Sequence, residues 1–317
     1  MEKQKRMKTI MAAGAIGLAV ALGLSACGKA AKEQSKADTK AEATEKADKT
    51  ENTETTETAD KTEEAEKTEI QVFVAASLSK VMEEAADKYR EIRPDVTVCY
   101  NADSSGKLLT QIQEGYACDV FFSAAQKQMD ALEADGRLVE GTRNNVVNNQ
   151  VCVISRKGSG TQVTGLKNIA KATSIALADG SVPVGKYTRE AMVRSGLLKE
   201  TEDVSGITTA EVSEQLGGVE ISEQSNVSKV LAAVVEGSCE VGTTYYSDLY
   251  GYEDQIDVLE KLPYELSGDV IYPIAQVKNE EADDREKEAA LDFIRFVTSE
   301  DMKNVFRSHY FDTNVQR

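Results

Sequence analysis

From about residue 69 to the C-terminus, hydrophobic and polar positions follow two alternating periods. Short apolar runs typical of buried strands are each followed by a segment in which apolar residues return every three or four positions, as on one face of a helix. The first pair is a strand at residues 70–74 and a helix carried by Val81, Ala85, Tyr89 and Ile92. Two further pairs predict strands at residues 96–100 and 120–122, with helices through Leu108 and Ile112 and over about 127–134.

The same alternation begins again after a strand near residues 151–155. It predicts strands at residues 174–178, 219–221, 241–245 and 270–277, and helices at 185–195, 227–236, 286–297 and 301–308. Strands that alternate with helices form a parallel sheet covered on both faces. Two such α/β units joined by two extended crossings predict two lobes around a cleft. We expect lobe I at residues 69–152 and 270–317, and lobe II at residues 153–269.

Polar loops precede several of the predicted helices, at the sheet edge where ligands of α/β proteins bind. Four of these loops offer a hydroxyl or a free backbone N–H: residues 75–79, 103–107, 181–185 and 225–228. The first turn of a helix has unpaired N–H groups and the positive end of the helix dipole, so several such ends around one cleft favour an anion. Taken alone, each of Ser77, Ser105 and Asn226 is better explained as a helix cap than as a ligand contact, and Tyr245 as a core or interface residue.

The N-terminus has the order of a secretory signal. Lys3, Lys5, Arg6 and Lys8 precede an apolar run that ends in Leu-Ser-Ala-Cys at Cys27. This ending resembles a bacterial lipobox, so we expect residues 1–26 to be a signal peptide and Cys27 to be lipidated. A permanent transmembrane helix is the alternative. The apolar run disfavours it, because the run is short and rich in Gly and Ala. Residues 27–68 have few branched or aromatic side chains, which predicts a disordered tether.

The acidic charge of the chain disfavours nucleic acid as a partner. The chain has 37 Lys and Arg residues against 54 Asp and Glu residues, a net charge of −17, which argues against nucleic acid. An anionic ligand is still compatible with this charge, because salt screens surface charges beyond about 8 Å and local dipoles can dominate.

Cysteine and histidine are arranged for neither metal binding nor catalysis. His309 is the only histidine, and Cys99, Cys118, Cys152 and Cys239 form no CxxC pair. Zinc and a Cys/His or Ser/His catalytic set are therefore disfavoured, and the strand positions of the cysteines favour buried free thiols. An extracellular serine hydrolase is the enzymatic alternative, but no general base accompanies the serines and no Gly-x-Ser-x-Gly motif occurs.

Six motifs occur in an order that resembles a known family. They are Ala75-Ala76-Ser77-Leu78, Ser104-Ser105-Gly106, residues 119–124, residues 182–187, Tyr245-Tyr246-Ser247-Asp248 and Tyr272-Pro273-Ile274. Together they resemble the motifs of the molybdate-binding protein of bacterial ABC transporters. The resemblance extends over nearly the whole body, from Ile70 to about Thr313.

The resemblance implies a two-lobed, type II periplasmic-binding-protein fold that closes on one tetrahedral dianion, molybdate or tungstate. Ser77 and Ser105 would donate from the first lobe, and backbone N–H groups at Val184 and Val227, within about a residue, from the second. Tyr245 would donate its phenolic O–H, with Tyr246 as a rival by adjacency. Molybdenum would be held only as the oxyanion, without direct protein ligands.

The same resemblance implies a receptor and not an enzyme, without a cofactor. Its partners would be an ABC transporter permease and its ATPase, and it would be a monomer outside the cytoplasm, lipid-anchored to the cell membrane. A receptor of the same fold for another anion such as phosphate, sulfate or an organic acid is the alternative. Asp103 departs from the family pattern: it could accept the proton of hydrogen phosphate, but we expect it to cap a helix start and point away from the ligand.

Overall fold

A computed structural model describes residues 67–315, so the predicted signal peptide, Cys27 and the tether up to residue 66 lie outside the described residues. Helices and strands alternate along the rest of the chain. The strands are β1 (Thr68–Ala75), β2 (Val96–Asp103), β3 (Val120–Phe122), β4 (Asn144–Asn149), β5 (Val151–Arg156), β6 (Ser174–Ala178), β7 (Glu220–Gln224), β8 (Val241–Tyr245), β9 (Ile256–Lys261) and β10 (Val270–Gln276). The α-helices are α1 (Ser79–Ile92), α2 (Ser105–Gln113), α3 (Gln126–Ala134), α4 (Pro183–Arg194), α5 (Thr209–Gln215), α6 (Val227–Val235), α7 (Tyr264–Ser267), α8 (Asp284–Val297) and α9 (Glu300–Ser308).

The strands form two five-stranded sheets. The first has the order β2-β1-β3-β10-β4, and the second β7-β6-β8-β5-β9. In each sheet the strands of the local β-α units are parallel, as β1 is to β2 and β3, and β6 is to β7 and β8. The prediction of two α/β units that together make a two-lobed fold is therefore confirmed.

The sheets are mixed, however, and the parallel pairing that the alternation of strands and helices predicted is limited to the local β-α units. β10 is antiparallel to β3 and β4, and β5 is antiparallel to β8 and β9. Both β5 and β10 enter from the other lobe, at the edge where the parallel strands end. A strand that starts at that edge has to run in the opposite direction.

Two boundaries differ from their predicted positions. β4 ends at Asn149 in the first sheet and β5 begins at Val151 in the second, so the boundary predicted after residue 152 falls inside β5. Thr68, assigned to the tether, is the first residue of β1, is buried, and donates its N–H to Asp95 O at 2.9 Å.

Buried aliphatic and aromatic side chains fill both lobes. Strands β3 and β10 are almost entirely buried, and β1 is buried except at Glu69 and Gln71. Helix α8 packs on β1 and β10, and its buried residues include Ala290, Phe293 and Ile294. The four cysteines of the described region are free thiols; Cys118, Cys152 and Cys239 are buried, and Cys99 is half-buried. Within residues 67–315, every helix is too short or too polar to cross a membrane.

Candidate functional site

Four helix starts and the end of one strand surround a small cavity between the two sheets. The space not filled by atoms is about 200 Å³ including adjoining solvent, and about 10 Å³ of it admits the centre of a water molecule. The first lobe contributes the turn before α1, the start of α2 and Ala124, two residues after β3. The second lobe contributes the starts of α4 and α6 and the end of β8. The lining residues are Ala75, Ala76, Ser77, Ser104, Ser105, Ala124, Val182, Pro183, Val184, Val227 and Tyr245. The cavity therefore brings together the five residues that the sequence predicted as donors to a ligand: Ser77, Ser105, Val184, Val227 and Tyr245.

Ser105 is the first residue of α2, and its side chain is fixed by a backbone group of the same lobe. The Ala124 N–H donates to Ser105 Oγ at 2.9 Å, and Ser105 is only 1% exposed. A hydroxyl that accepts one hydrogen bond keeps its own hydrogen to donate. Ser104, the residue before it, caps α2 by accepting from Lys107 N–H at 3.4 Å. The two adjacent serines thus have different roles, and the hydrogen of Ser105 stays available to the cavity.

Ser77 lies in the 3-10 turn between β1 and α1. Its Oγ is 2.8 Å from the Tyr272 hydroxyl, on β10 of the same lobe. The Tyr272 oxygen also accepts a hydrogen bond from Asn149 Nδ2 at 3.1 Å. Tyr272 and Asn149 are buried behind the wall of the cavity, which Ser77 lines.

Tyr245 ends β8 and has a hydroxyl without a hydrogen-bond partner although the side chain is only 1% exposed. Burial raises the pKa of this phenol well above its ordinary value, so it stays protonated and can donate. Its ring packs edge-on against Tyr272 at 5.9 Å between centroids. Tyr246, the rival by adjacency, is directed elsewhere: its ring packs against Tyr310 at 5.1 Å, and Lys261 Nζ lies 3.4 Å from its centroid.

The first turn of α4 brings Val184 to the cavity. Pro183 at the first helical position has no N–H, and the first intrahelical bond is donated by Lys186 to Val182 O at 2.9 Å. The N–H of Val184 precedes that bond and belongs to the open end of the helix. Gly185 lets this end approach β6, because a Cβ at residue 185 would lie 2.1 Å from Asp179 O.

The first turn of α6 brings Val227 to the cavity in the same way. Asn226 caps this helix by accepting from Lys229 N–H at 3.0 Å. The N–H of Val227, the first helical residue, has no acceptor one turn back within the helix. The prediction that the Asn226 side chain caps a helix is therefore confirmed.

Asp103 does not line the cavity, as predicted, but the residue that caps α2 is its neighbour Ser104. It accepts from Ser104 N–H at 2.8 Å, from Lys107 Nζ at 2.7 Å and, across the two lobes, from Asn226 Nδ2 at 3.2 Å. Partial burial opposes ionisation, but these hydrogen bonds outweigh it and lower the pKa of Asp103. The carboxylate is thus occupied by donors outside the cavity.

Several buried polar residues around the site were not predicted. Asn149 joins Tyr272 to Ser247, and Asp248 accepts from Thr244 Oγ1 at 2.6 Å and from Tyr245 N–H at 2.9 Å. Asn149 carries no signal in the sequence, because its partners lie about a hundred residues away. Asp248 had a signal, since it lies in the Tyr245-Tyr246-Ser247-Asp248 motif, but only the fold reveals its burial.

The second unpredicted feature is a buried guanidinium beneath α4. Arg189 is fully buried; its Nη1 donates to Ala178 O at 2.8 Å and to Gly185 O at 2.9 Å, and its Nε donates to Ile207 O at 2.7 Å. These bonds hold the first turn of α4 against the end of β6. They thereby fix the backbone that presents Val184.

The cavity offers donors from several directions and no charged side chain among the residues that line it. Hydroxyl groups of Ser77, Ser105 and Tyr245 face it together with the open ends of helices. Such a set can hold a small anion by hydrogen bonds and helix dipoles. Within residues 67–315, no group of His, Cys, Asp and Glu is arranged to hold a metal ion directly.

Comparison with known proteins agrees with this geometry. Residues 70–312 match the model of a family described as bacterial extracellular solute-binding protein. A putative ABC transporter substrate-binding lipoprotein of Bacillus subtilis, YvgL, is 26% identical over 243 residues, which are 76% of this chain and 85% of that protein. The molybdate-binding protein ModA of Haemophilus influenzae is 25% identical over 250 residues, 77% of this chain and 89% of its own.

Solved structures share the fold. The substrate-binding domain of a putative molybdenum ABC transporter from Clostridium difficile has a TM-score of 0.56 and 29% identity, and covers 78% of this chain and 100% of its own. The periplasmic molybdate-binding protein of Azotobacter vinelandii has a TM-score of 0.64 at 16% identity, covering 78% of this chain and 99% of its own. The sulfate-binding protein SubI of Mycobacterium tuberculosis has a TM-score of 0.61 at 12% sequence identity. The match covers 77% of this chain and 86% of SubI.

These matches settle the class of the protein. Its two lobes with a cleft between them are those of periplasmic binding proteins, and members of the family are receptors that serve ABC transporters outside the cytoplasm, not enzymes. The permease and ATPase of such a transporter are therefore its partners. The chain belongs to the bacterial extracellular solute-binding protein family and is the substrate-binding component of an ABC transporter.

Proposed function

We propose that the protein captures molybdate or tungstate in the cavity between its lobes and delivers the ion to its permease. The observation that carries this proposal is the buried hydroxyl of Tyr245, which has no partner and lines a cavity that also contains Ser77 and Ser105. A buried polar group without a partner costs stability of about 1–3 kcal/mol. Such a group is expected where a ligand supplies the missing acceptor.

The donor set suits an anion that carries no proton. Molybdate and tungstate are fully deprotonated near neutral pH, so each of their oxygens accepts hydrogen bonds. Hydroxyls of Ser77, Ser105 and Tyr245 and N–H groups of Val184 and Val227 would supply five donors without a side-chain carboxylate. Each hydrogen bond to a charged group is worth about 1.5–3 kcal/mol, which supports roughly micromolar to nanomolar binding after the costs of association.

Binding would also close the cleft. Ser77 and Ser105 belong to the lobe of the first sheet, whereas Val184, Val227 and Tyr245 belong to that of the second. An ion held by both sets links the lobes directly. The permease could then distinguish the loaded receptor from the empty one by the closed arrangement, because only the ligand joins all the donors.

Sulfate is the alternative ligand that the geometry leaves in competition, since it is a fully deprotonated tetrahedral dianion too. The fold is shared with a sulfate-binding protein at 12% identity. Hydrogen phosphate is less suited, because its proton needs an acceptor and Asp103 is engaged by Ser104, Lys107 and Asn226. The relatives named for molybdate support molybdate over sulfate.

A calorimetric titration tests this proposal. We expect molybdate and tungstate to bind with a stoichiometry of one, sulfate to bind at least tenfold more weakly, and phosphate more weakly still. A screen for ester hydrolysis by the same sample tests the hydrolase alternative. Tight sulfate binding without molybdate binding would replace the proposed ligand, and turnover of an ester would overturn the receptor mechanism.

We also propose that Cys27 is lipidated after cleavage of residues 1–26, so that residues 27–66 tether the receptor to the outer face of the cell membrane. The lipobox-like Leu-Ser-Ala-Cys ending supports this, and so does the description of the Bacillus subtilis relative as a lipoprotein. Cys27→Ser should release the protein from the membrane fraction of a bacterial host, whereas Cys99→Ser should not. Retention of the Cys27→Ser variant in membranes would contradict the anchor.

A further inference from the structure

A chain of buried side chains ends at the Ser77 hydroxyl. Asn149 Nδ2 donates to the Tyr272 hydroxyl at 3.1 Å, and the Tyr272 oxygen lies 2.8 Å from Ser77 Oγ. Asn149 is 1% exposed and Tyr272 is 0% exposed, so water does not provide alternative partners. Only Ser77, the last member, lines the cavity.

The Asn149 amide is held in one orientation. Its Oδ1 accepts from Gln150 N–H at 2.9 Å, and its Nδ2 has a second contact with Ser247 Oγ at 2.8 Å. An amide turned over would direct its NH₂ group at the Gln150 N–H, a contact between two donors. Nδ2 therefore faces Tyr272 and, since an amide nitrogen has hydrogens and no usable lone pair, it can only donate.

This orientation determines the direction of the next hydrogen bond. The Tyr272 oxygen accepts from Asn149, and the hydrogen of Tyr272 needs an acceptor of its own because the side chain is fully buried. Ser77 Oγ is the group within reach, at 2.8 Å. When Ser77 accepts from Tyr272, its own hydrogen is left to point at a group in the cavity.

We propose that Asn149 is a positioning residue that orients the Ser77 hydroxyl as a donor and so makes the site selective for oxyanions without a proton. This inference rests on the proposed function. A serine hydroxyl that could rotate would accept a proton from hydrogen phosphate as readily as it donates to molybdate. When Ser77 uses one of its two lone pairs to accept from Tyr272, its hydrogen is directed at the cavity, where an oxyanion oxygen that accepts is favoured over a ligand hydroxyl that donates.

Asn149→Asp tests the direction of the chain, because it replaces Nδ2 by an oxygen of the same size. The carboxylate would accept from Tyr272, the Tyr272 oxygen would then accept from Ser77, and the Ser77 lone pairs would face the cavity. In titrations of the full chain we expect the ratio of molybdate affinity to inorganic phosphate affinity to fall at least tenfold. Asn168→Asp is the matched control: Asn168 also accepts from a backbone N–H, that of Thr164, and donates to a carbonyl, that of Gln162, away from the cavity.

A double-mutant cycle separates this directional effect from the added negative charge. Without the Ser77 hydroxyl there is nothing to reverse, so Asn149→Asp in a Ser77→Ala background should change the affinity ratio less than threefold. An effect of the added negative charge would still change the affinity ratio in the Ser77→Ala background. Tyr272→Phe interrupts the hydrogen-bond chain without adding a charge. It should weaken molybdate binding severalfold in the wild-type background and have no effect in the Ser77→Ala background. This variant also tests the proposal if Asn149→Asp does not fold.

The outcomes distinguish this inference from the proposed function. If the wild type binds none of molybdate, tungstate, sulfate and phosphate, the proposed function fails and the inference fails with it. If the wild type binds molybdate but folded Asn149→Asp and Tyr272→Phe keep its affinity ratio, the orientation of Ser77 does not depend on Asn149 and only this inference is overturned. Equal effects with and without the Ser77 hydroxyl would overturn it as well.

Discussion

Single side chains at the site combine a cost in the empty protein with a gain in the loaded one. The Tyr245 hydroxyl is the clearest case, because it is buried and has no partner. Ser105 differs, since its oxygen already accepts from Ala124 N–H. Substitutions at the two positions should therefore have different effects on stability, although both weaken binding.

Tyr245→Phe should stabilise the ligand-free protein and weaken ligand binding. Removing the unpaired hydroxyl removes a desolvation cost of about 1–3 kcal/mol, while the loaded state loses one charge-assisted hydrogen bond of about 1.5–3 kcal/mol. Denaturant unfolding and calorimetric titration with molybdate measure the two effects. Unchanged affinity would mean that Tyr245 packs in the core and does not contact the ion.

Ser105→Ala should weaken both binding and folding. The ligand loses a donor worth about 1.5–3 kcal/mol, and the Ala124 N–H loses its acceptor, which should lower the free energy of unfolding by about 1–3 kcal/mol. Ser79→Ala is the control, because Ser79 begins α1 and donates to Ala76 O at 2.9 Å but does not line the cavity. If Ser105→Ala binds molybdate as tightly as the Ser79→Ala control, Ser105 is only structural and the site is elsewhere.

Whole elements were predicted from the sequence where the apolar pattern was strong. The strands predicted at residues 120–122, 174–178 and 241–245 have those bounds, and their residues are almost all buried. β4 was missed because it contains four asparagines, which are rare in strands; Asn148 and Asn149 are accommodated by hydrogen bonds to distant residues. α5 was missed because Val212 is its single buried residue, although Thr208 and Glu211 form a capping box.

Helix α2 contains a glycine, Gly106, at which the two lobes approach closely. A Cβ at Gly106 would lie 3.1 Å from Ser181 O of the other lobe, tighter than ordinary contacts. Gly106→Ala should therefore weaken molybdate binding severalfold without lowering the stability of the empty protein, because alanine favours the helix. Gly206→Ala is the control, since a Cβ at residue 206 meets no atom within 4 Å. Equal affinities of the two variants would show that closure does not require this contact.

At the scale of the whole molecule, local sequence patterns could not show that the donor residues of both lobes meet in one cavity. The order of the motifs, through the resemblance, predicted Ser77, Ser105, Val184, Val227 and Tyr245 together. Local patterns alone favoured Ser77 and Ser105 as helix caps and Tyr245 as a core or interface residue. The contacts that orient them, such as Asn149 with Tyr272 across 123 positions, depend on two crossings between the lobes and have no local signal.

Global stability should depend on the buried carboxyl of Asp248. Burial raises its pKa from 3.8 to about 6, despite hydrogen bonds from Thr244 and Tyr245. The folded state thus binds this proton more tightly than the unfolded state. The contribution is fully present below about pH 4 and is lost as the pH rises through about 6, a change of at most about 3 kcal/mol.

Asp248→Asn isolates that contribution, because the amide oxygen can accept the same two hydrogen bonds without ionising. The unfolding free energy of the wild type minus that of the variant should fall by up to about 3 kcal/mol between pH 4 and pH 7. Denaturant titrations at several pH values measure it. A difference that does not vary with pH would mean that Asp248 ionises as freely in the folded protein as in the unfolded chain.

The central claim is that one tetrahedral oxyanion binds between Ser77, Ser105 and Tyr245, and crystals grown with tungstate test it most directly. The anomalous scattering of tungsten marks the ion independently of the protein. We predict a single strong peak in the cavity, with oxygens about 2.7–3.1 Å from the three hydroxyls and from the N–H groups of Val184 and Val227. A peak elsewhere, or an empty cavity at saturating tungstate, would contradict the account.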